Sequence, residues 1–458
     1  MRLPSLLTAA LICLPASSPV LANVDDVIVR EQQVRPLPGA LDKVLMVNDN
    51  NPELITDEGI LLSTFPDGGA SSLEVPLNGR FDLFSHHVYA GDEESEGLDS
   101  TLWLAVLAAP LGDHAVKLQL LEGSTSLSQA TQPGQTAAPF LPLPTLIRET
   151  NEVIAAGPGS RVAGDLLRGR RAAELVKTSW ELKPDHPTLL LALPIPVAGL
   201  DPLLNGRNLQ LRLQSSGPVA LATLAGLGPT AKAPPASRWT KLLKSKKLSS
   251  KEHSPTTRGT KGKIIYSRVS GVQIGRRWRS RITDPGRNVL SIPSQPLSWP
   301  ISSLERGSLG TGQVQTAELK VLYPDTAWAA HGNYGVDYDL ILPLKNNSNQ
   351  PSTVELALES PLKSDGPASH LRFRSSLNGP VMFRGPVEVT GLEDSHGVPL
   401  GRHITHLVLR QGQPGPALGQ LTLAPGEQRD VRIQLIYPAD STPPQVLTIR
   451  PIASSSGS

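Results

Sequence analysis

The chain has almost no cysteine, since Cys13 is the only one among 458 residues. It falls in an N-terminal apolar run that we expect to be removed, so the mature chain would contain none. A mature chain of this kind can form no disulfide, no thiolate metal site and no cysteine nucleophile. For an exported protein of this size, that composition fits a bacterial periplasm or exterior better than a eukaryotic secretory route.

Aromatic residues and long apolar runs are also scarce. Aromatic residues make up 4% of the chain, which argues against a sugar-binding cleft lined by rings. Beyond the first residues, no run approaches the roughly 18 apolar residues of a membrane-spanning helix. The sequence also has no Gly-x-Ser-x-Gly elbow, no His-Glu-x-x-His pair and no phosphate loop, so the signatures of several enzyme classes are missing.

The first 22 residues have the features of a signal peptide. Arg2 supplies the positive charge, the run at 6–14 is apolar but short, and Val20-Leu21-Ala22 supplies small residues before the cut. We therefore predict cleavage after Ala22 and export to the periplasm, the outer envelope or the medium. The residue before Cys13 is not small, so no lipid anchor is expected there.

Proline and glycine are abundant, with 43 and 40 residues, and they separate many short apolar runs. This pattern disfavours long helices and predicts strands joined by turns. We expect a mainly β protein with two antiparallel β-sandwich-like domains. The N-terminal β-rich domain would span 23–228, the C-terminal sandwich domain 263–453, and a short tail 454–458.

One stretch, residues 334–361, gives the clearest strand pattern. Apolar residues alternate from Val336 to Leu342 and again from Val354 to Leu358, with an Asn- and Ser-rich turn between them. The sequence predicts a β-hairpin here, and a second hairpin of the same plan at 103–120. The end of the chain repeats the plan as a strand, a Pro-Gly turn at 425–426 and a strand.

The first domain also contains a predicted helical segment. Apolar residues lie roughly on one helical face from Thr145 to Ala156, and Gly157-Pro158-Gly159 would end that helix, with another short helical turn reaching about Ala173. The Gly157–Arg161 stretch could alternatively start a helix and cradle an anion. A helix-breaking turn is the interpretation that we favour from sequence.

Positive charge is concentrated in residues 238–281, the basic segment. It carries fourteen Lys or Arg and one acid, so the rest of the chain sums to −11 although the total is +2. We expect a basic disordered insert or linker at 229–262. The segment could bind anionic polysaccharide or the envelope surface, dock on an acidic face of this protein or a partner, or remain solvated. Export makes nucleic acid an unlikely ligand, while Trp239, Tyr266 and Trp278 favour ligand contact.

The most reactive-looking residues are His86 and His87. Neighbours on a strand point to opposite faces, so one metal cannot easily take both. His87 could bind a metal with Asp92, Glu94 and Asp99, and that acidic loop could hold Ca²⁺ through oxygen ligands. The alternative that we favour is a solvated acidic loop beside one packed and one exposed histidine, with no cofactor.

Four motifs carry a resemblance to a known family. They are GILLSTFP at 59–66, FSHH at 84–87, GNYGV at 332–336 and IYPADSTPPQVLTI at 436–449. The chain resembles an uncharacterised family of exported cyanobacterial proteins, described as a domain of unknown function. The resemblance covers nearly all of the mature chain except the basic insert. It implies a bacterial envelope or secreted setting and supplies no activity, cofactor or catalytic residue.

The sequence thus predicts an exported binding or structural protein without catalysis, contacting a glycan or another surface protein. The alternative is a hydrolase, metal-dependent or acting on envelope polysaccharide. A hydrolase would need carboxylates that converge in a cleft with shifted pKa values.

Overall fold

The computed structural model of the protein describes residues 27–91, 101–129, 146–148, 157–184, 186–200 and 203–452. The predicted signal peptide at 1–22 and the tail at 454–458 lie outside these ranges. The strands are β1 (Val27–Glu31), β2 (Gln33–Val34), β3 (Ala40–Leu41), β4 (Leu45–Leu54), β5 (Gly59–Ser63), β6 (Leu77–Ala90), β7 (Thr101–Pro110), β8 (Val116–Leu127), β9 (Leu146–Arg148), β10 (Ser179–Leu182), β11 (Thr188–Ile195), β12 (Leu204–Gly228), β13 (Val269–Ile274), β14 (Arg277–Arg281), β15 (Leu290–Ser291), β16 (Leu297–Ile301), β17 (Leu319–Leu322), β18 (Asp337–Lys345), β19 (Ser352–Glu359), β20 (His370–Arg374), β21 (Val381–Thr390), β22 (Arg402–Arg410), β23 (Ala417–Leu423), β24 (Gln428–Ile436) and β25 (Gln445–Ile452). The α-helices are α1 (Pro158–Leu167) and α2 (Ala236–Lys244).

The prediction of a mainly β protein is confirmed. Two sheets form a sandwich in the C-terminal half: an eight-stranded sheet ordered β3-β14-β18-β24-β21-β22-β9, with β15 beside β18, and a five-stranded sheet ordered β2-β16-β25-β19-β23. Their inner faces share one apolar core, in which Leu340 and Ile433 of the first sheet meet Leu356 and Leu447 of the second. The alternation seen in the sequence places these residues inward.

The N-terminal half is built on a single ten-stranded sheet that folds around the long strand β12. The first half of β12 pairs with β6 and β8, while its second half pairs with β5 and β7. The register shifts between Ser215 and Val219, where Gly217 and Pro218 interrupt the pairing with β6. One apolar core fills the space between the two halves of this sheet.

The prediction of two hairpins was wrong. Both are arches, in which the two consecutive strands pair with other strands and not with each other. β18 lies in the eight-stranded sheet and β19 in the five-stranded sheet, and they do not pair with each other. Likewise β7 and β8 pair with different parts of β12, and β23 and β24 belong to opposite sheets. Buried Asn346 fixes the β18–β19 arch by donating to the carbonyls of Gln350 and Leu423 at 2.7 and 2.9 Å.

Strands from each half of the chain pair with strands of the other half, across the boundary expected between the two domains. β13, from the expected C-terminal domain, pairs with β4 in the ten-stranded sheet. In the other direction, β1, β2 and β3 pair with β20, β16 and β14. Fully buried Glu359 holds this N-terminal crossing, because it accepts hydrogen bonds from Arg30, Thr448 and Arg450.

The helical prediction was misplaced. Residues 146–148 form strand β9, the remainder of 145–156 lies outside the described ranges, and the helix begins at Pro158. Proline at the first helical position needs no hydrogen-bonding N–H and already has a helical φ, so the glycine–proline pair starts the helix rather than ending it. Val162 and Leu166 bury its apolar face against Ile436.

The prediction of a disordered insert at 229–262 is corrected in the same way. Helix α2 lies within it, and the side chain of Trp239 is 0% exposed. The indole packs against Ile60, Trp103 and Leu224, in space that exists because Gly226 has no side chain. Burial of the Trp239 side chain therefore orders this part of the segment despite its high positive charge.

Candidate functional site

After α2 the basic segment continues as an irregular strap, residues 245–266, which runs across the protein surface. An acidic ridge on the same chain holds its first part. Asp57 accepts hydrogen bonds from the Lys247 ammonium group at 3.0 Å and from the Ser250 N–H at 2.7 Å. Burial alone would raise the pKa of Asp57, but these hydrogen bonds outweigh it and lower the pKa. Glu53 accepts the N–H of His253 at 2.9 Å. This geometry corresponds to docking on an acidic face of the protein, one of the three alternatives for the segment.

The second part of the strap forms one wall of a pocket of about 600 Å³, the strap pocket. This volume lies in the range of small-ligand sites. The opposite wall comes from the loop at 304–307, the 3₁₀-helix Trp328–Ala330 with the residue that follows it, and the loop at 363–365. These segments are far apart in the sequence, and the sandwich brings them together.

Two arginines tie the walls of the strap pocket together. Arg258 of the strap pairs with Glu305 across the pocket, and its guanidinium carbon lies 4.0 Å from the centre of the Trp328 ring. Arg306 reaches the other way and donates to the strap carbonyls of Gly262 (2.7 Å) and Thr260. The strap is therefore held over the pocket by contacts that are exposed to solvent.

Lys261 and Lys363, on opposite walls, give the pocket its free positive charge. Neither forms an ion pair with any residue that the structure describes, and both side chains are exposed at the surface. Partial burial of its ammonium group lowers the pKa of Lys363, and no carboxylate offsets this effect. The carboxylates of the lining already have partners: Glu305 pairs with Arg258, and Asp365 accepts the backbone N–H groups of the 307–308 turn at 2.9 Å. The pocket thus presents uncommitted cations.

His331 adds a polar atom without a partner. It is 1% exposed, and its Nε2 lies 2.8 Å from the Ala317 carbonyl, so Nε2 carries the proton and donates it. Burial lowers the pKa of His331 to about 4, against the opposing effect of that hydrogen bond, and the ring is neutral at pH 7. Its Nδ1 is then an acceptor with no hydrogen bond to a described residue, and this atom is buried although the residue belongs to the pocket lining. A buried acceptor left unpaired costs free energy unless a ligand or water supplies a donor.

Of the three aromatic residues singled out in the basic segment, one faces solvent. Trp239 is fully buried, and Trp278 is 7% exposed and donates from Nε1 to the Pro38 carbonyl at 3.0 Å. Tyr266 is 49% exposed and lines the strap pocket. Arg258 covers a face of Trp328, so Tyr266 provides the open ring of this site.

His87, the sequence candidate for a metal ligand, is a buried core residue. Its Nε2 lies 2.9 Å from the Asp49 carboxylate on the neighbouring strand β4, and that carboxylate also accepts the Thr223 hydroxyl at 2.6 Å. Its neighbour His86 is half-buried, and burial lowers the pKa of His86 to about 4.

The other metal candidates, Asp92, Glu94 and Asp99, lie outside the described residues, and the calcium hypothesis for their loop stays a prediction. Within the described ranges, no group of three or more His, Cys, Asp or Glu is placed to hold a metal ion. No helix among them is long and apolar enough to span a membrane.

The carboxyl group of Asp82 illustrates why an altered pKa is not by itself a catalytic site. Burial raises the pKa of Asp82 to about 7, against the opposing charges of Arg276 and Arg212. These groups lie between the two halves of the protein: Arg212 of β12 also binds Asp337 of β18 at 2.5 Å. Asp82 is 2% exposed and does not line the strap pocket, so we assign it a structural role.

The anion cradle considered at Gly157–Arg161 is filled by the protein itself. Asp440 accepts the Ser160 N–H at 2.7 Å and the Ser160 hydroxyl at 2.9 Å. A carboxylate at a helix N-terminus satisfies free N–H groups and the helix dipole. This start of α1 therefore fastens the N-terminal half to the C-terminal half.

Sequence reasoning missed most of the strap pocket. No motif in the sequence singles out His331, Trp328 or Lys363 as part of a site. The signal that it did detect was Tyr266 within the basic segment. No sequence spacing indicates that Lys363 lies across a pocket from Lys261.

The fold and the pocket define a mainly β protein with a candidate binding site under a basic strap. The chain belongs to the family described as "Protein of unknown function (DUF3370)", which matches residues 32–451. No curated protein matches the chain. Among solved structures, the crystal structure of the coconut allergen cocosin is similar at 11% identity over 93% of this chain and 85% of that chain, with a TM-score of 0.09, a likeness too weak to inform the fold.

Proposed function

We propose that this protein is an exported, non-catalytic component of a bacterial envelope, of cyanobacterial origin, that binds an anionic envelope polymer in the strap pocket. The observation that carries this proposal is the pair of uncommitted ammonium groups, Lys261 and Lys363, on opposite walls of one pocket. Export is supported by the signal-peptide pattern at 1–22 and by the absence of cysteine after it.

The electrostatics support an anionic ligand rather than a neutral one. The pocket lining carries four cations, Arg258, Lys261, Arg306 and Lys363, against the two carboxylates of Glu305 and Asp365. A concave surface with an excess of one charge focuses the field and attracts the opposite charge. Attraction between solvent-exposed charges weakens with added salt, because the Debye length falls from about 10 Å at 0.1 M to about 3 Å at 1 M.

Fractionation of native cells tests this function. We expect the parent protein in the envelope fraction at low salt and in the soluble fraction after a wash near 1 M salt. The double variant Lys261→Gln/Lys363→Gln should already be largely soluble at low salt, since the loss of two charge-assisted contacts weakens binding by roughly 10-fold or more.

The matched control is Lys263→Gln/Lys320→Gln, which removes the same charge from two exposed lysines outside the pocket lining. It should fractionate like the parent. Equal release of both double variants would mean that general charge, not the pocket, holds the protein. A parent protein that stays in the cytoplasm, or is soluble at low salt, would refute the proposal.

A further inference from the structure

One acid of the chain occupies the corner of the strap pocket where hydrogen-bond donors converge. Glu305 Oε1 accepts hydrogen bonds from the Arg258 guanidinium, through Nε at 2.8 Å and through Nη2. The indole N–H of Trp328 donates to the same oxygen at 3.4 Å. Three donors directed at one oxygen atom, two of them from a cation, form a site for an oxyanion. The carboxylate of Glu305 fills that site.

The Arg258–Glu305 pair is open to solvent. The side chain of Arg258 is 57% exposed and that of Glu305 is 40% exposed. An ion pair between exposed side chains contributes little free energy, so an acid group from outside can compete with it. Asp440 at the start of α1 differs, because its partner Ser160 is 0% exposed. Glu305 therefore has the properties of a replaceable acid, whereas Asp440 belongs to the interior of the fold.

The tip of the strap, residues 256–265, has the geometry of a loop that can move without its base. Its two ends are joined, since the Thr256 N–H donates to the Ile265 carbonyl at 3.1 Å and the Ile265 N–H donates to the Thr256 hydroxyl at 2.7 Å. Between these ends, its hydrogen bonds to other described parts of the chain are those of Arg258 and those donated by Arg306. All of these contacts are exposed, so the strap tip can leave the pocket without disturbing the fold beneath it.

Given the anion-binding role proposed above, on which this step rests, we infer that Glu305 is an internal competitor for the ligand. An acid group of the bound polymer replaces the Glu305 carboxylate on Arg258, and the strap tip moves away from the opposite wall of the pocket. An open tip lets a long polymer enter from the side, whereas a closed tip would require it to thread from one end. The acid group is a carboxylate, a sulfate or a phosphate, since the site presents its donors to a single oxygen.

Calorimetric titration of the purified protein at one fixed salt concentration measures this competition with trigalacturonate, dextran sulfate and polyphosphate. Glu305→Gln keeps the shape of the side chain and removes its charge. We expect this variant to bind the probe that the parent binds most tightly about 2- to 5-fold more tightly still, because one exposed ion pair no longer has to break. The probe that binds most tightly identifies the acid group.

Two controls separate the freed guanidinium from a general gain of positive charge. Glu318→Gln removes the same charge from an exposed acid outside the pocket lining, so it should bind like the parent. The double variant Arg258→Gln/Glu305→Gln should bind no more tightly than the parent, because the cation that Glu305 covers is gone.

Pulsed EPR measures the movement of the strap tip separately, with nitroxide labels at Lys263→Cys and Lys320→Cys. Both lysines are exposed and lie outside the pocket lining, one on the strap tip and one on strand β17. The only cysteine of the chain, Cys13, lies in the predicted signal peptide, so the labels attach to the introduced positions. We expect one distance in the parent, and a second distance both in Glu305→Gln and in the parent saturated with the probe.

The outcomes separate this inference from the function beneath it. If a probe binds the parent and Glu305→Gln equally, or if either control gains as much affinity as Glu305→Gln, the internal competitor is refuted while the anion-binding function stands. An unchanged label distance in the saturated parent refutes the movement of the strap tip. If no anionic probe binds either protein, the inference is refuted, and the function falls with it when the envelope attachment is also absent.

Discussion

Replacement of Trp239 by alanine tests whether the basic segment is an integral part of the fold. The indole is fully buried among Ile60, Trp103 and Leu224, and its Nε1 donates to the Pro234 carbonyl at 3.0 Å. Truncation of a fully buried aromatic side chain to alanine costs about 3–5 kcal/mol, as the sum of lost transfer free energy and the remaining cavity. We expect the free energy of unfolding to fall by that amount.

Two measurements distinguish global from local loss. Equilibrium unfolding in urea gives the change in free energy, and brief trypsin digestion reports on the lysines that follow the indole, from Lys241 to Lys251. In the parent, helix α2 and the contacts of Lys247 and Lys251 with Asp57 and Asp325 should protect this region. In Trp239→Ala the same peptide bonds should become early cleavage sites, because the anchor of the strap is gone.

Tyr266→Ala is the control, since it removes an aromatic ring of the same segment that is exposed. Its effect on unfolding should stay within about 0.5 kcal/mol. If Trp239→Ala changes the free energy of unfolding by less than about 1 kcal/mol and leaves the tryptic pattern unchanged, the docking of the strap through Trp239 is refuted.

Two further predictions concern the interior. The pKa of Asp82 is about 7 in the folded state and 3.8 in the unfolded chain, because burial favours the protonated carboxyl group. Asp82 therefore stabilises the folded state at low pH, and this stabilisation is lost as the pH rises from about 4 to 7. Relative to the parent, Asp82→Asn should therefore gain roughly 2–3 kcal/mol in urea unfolding between pH 5 and pH 8; a difference that does not change with pH would contradict this. Asn346→Ala, which removes the donors to Gln350 and Leu423, should cost about 1–3 kcal/mol, while exposed Asn347→Ala should cost less than about 0.5. Equal effects of the two asparagine changes would show that the amide does not fix the arch.

The strands themselves were predictable from the sequence, but their partners were not. The pattern at 334–361 correctly indicates two strands and a turn, and it reads the same for a hairpin and for an arch. In a hairpin the two strands share a sheet, whereas in the arch β18 and β19 face each other across one core. That difference depends on which distant strands are available, here β24 and β25.

The prediction of disorder in the basic segment was wrong for a different reason. Its composition is that of a disordered linker, yet the spacing of Trp239 and Leu243, four residues apart, is that of one apolar helical face. The acids that neutralise the strap, Glu53 and Asp57, are about 200 residues earlier in the chain. Local charge statistics cannot include partners at that distance, and the same is true of the walls of the strap pocket.

The crossing of the N-terminal strands into the C-terminal sheets has a consequence for biogenesis. Arg30 meets Glu359 across 329 residues of chain, and Gln32 meets Ser298 across 266. The first strands therefore have no partners until most of the polypeptide has been made. Such long-range pairing slows folding, and a chain that cannot complete its sheets early stays extended for longer. For the export proposed above, that delay would be an advantage. It also means that neither 23–228 nor 263–453, expressed as a fragment, would carry its full set of strand partners.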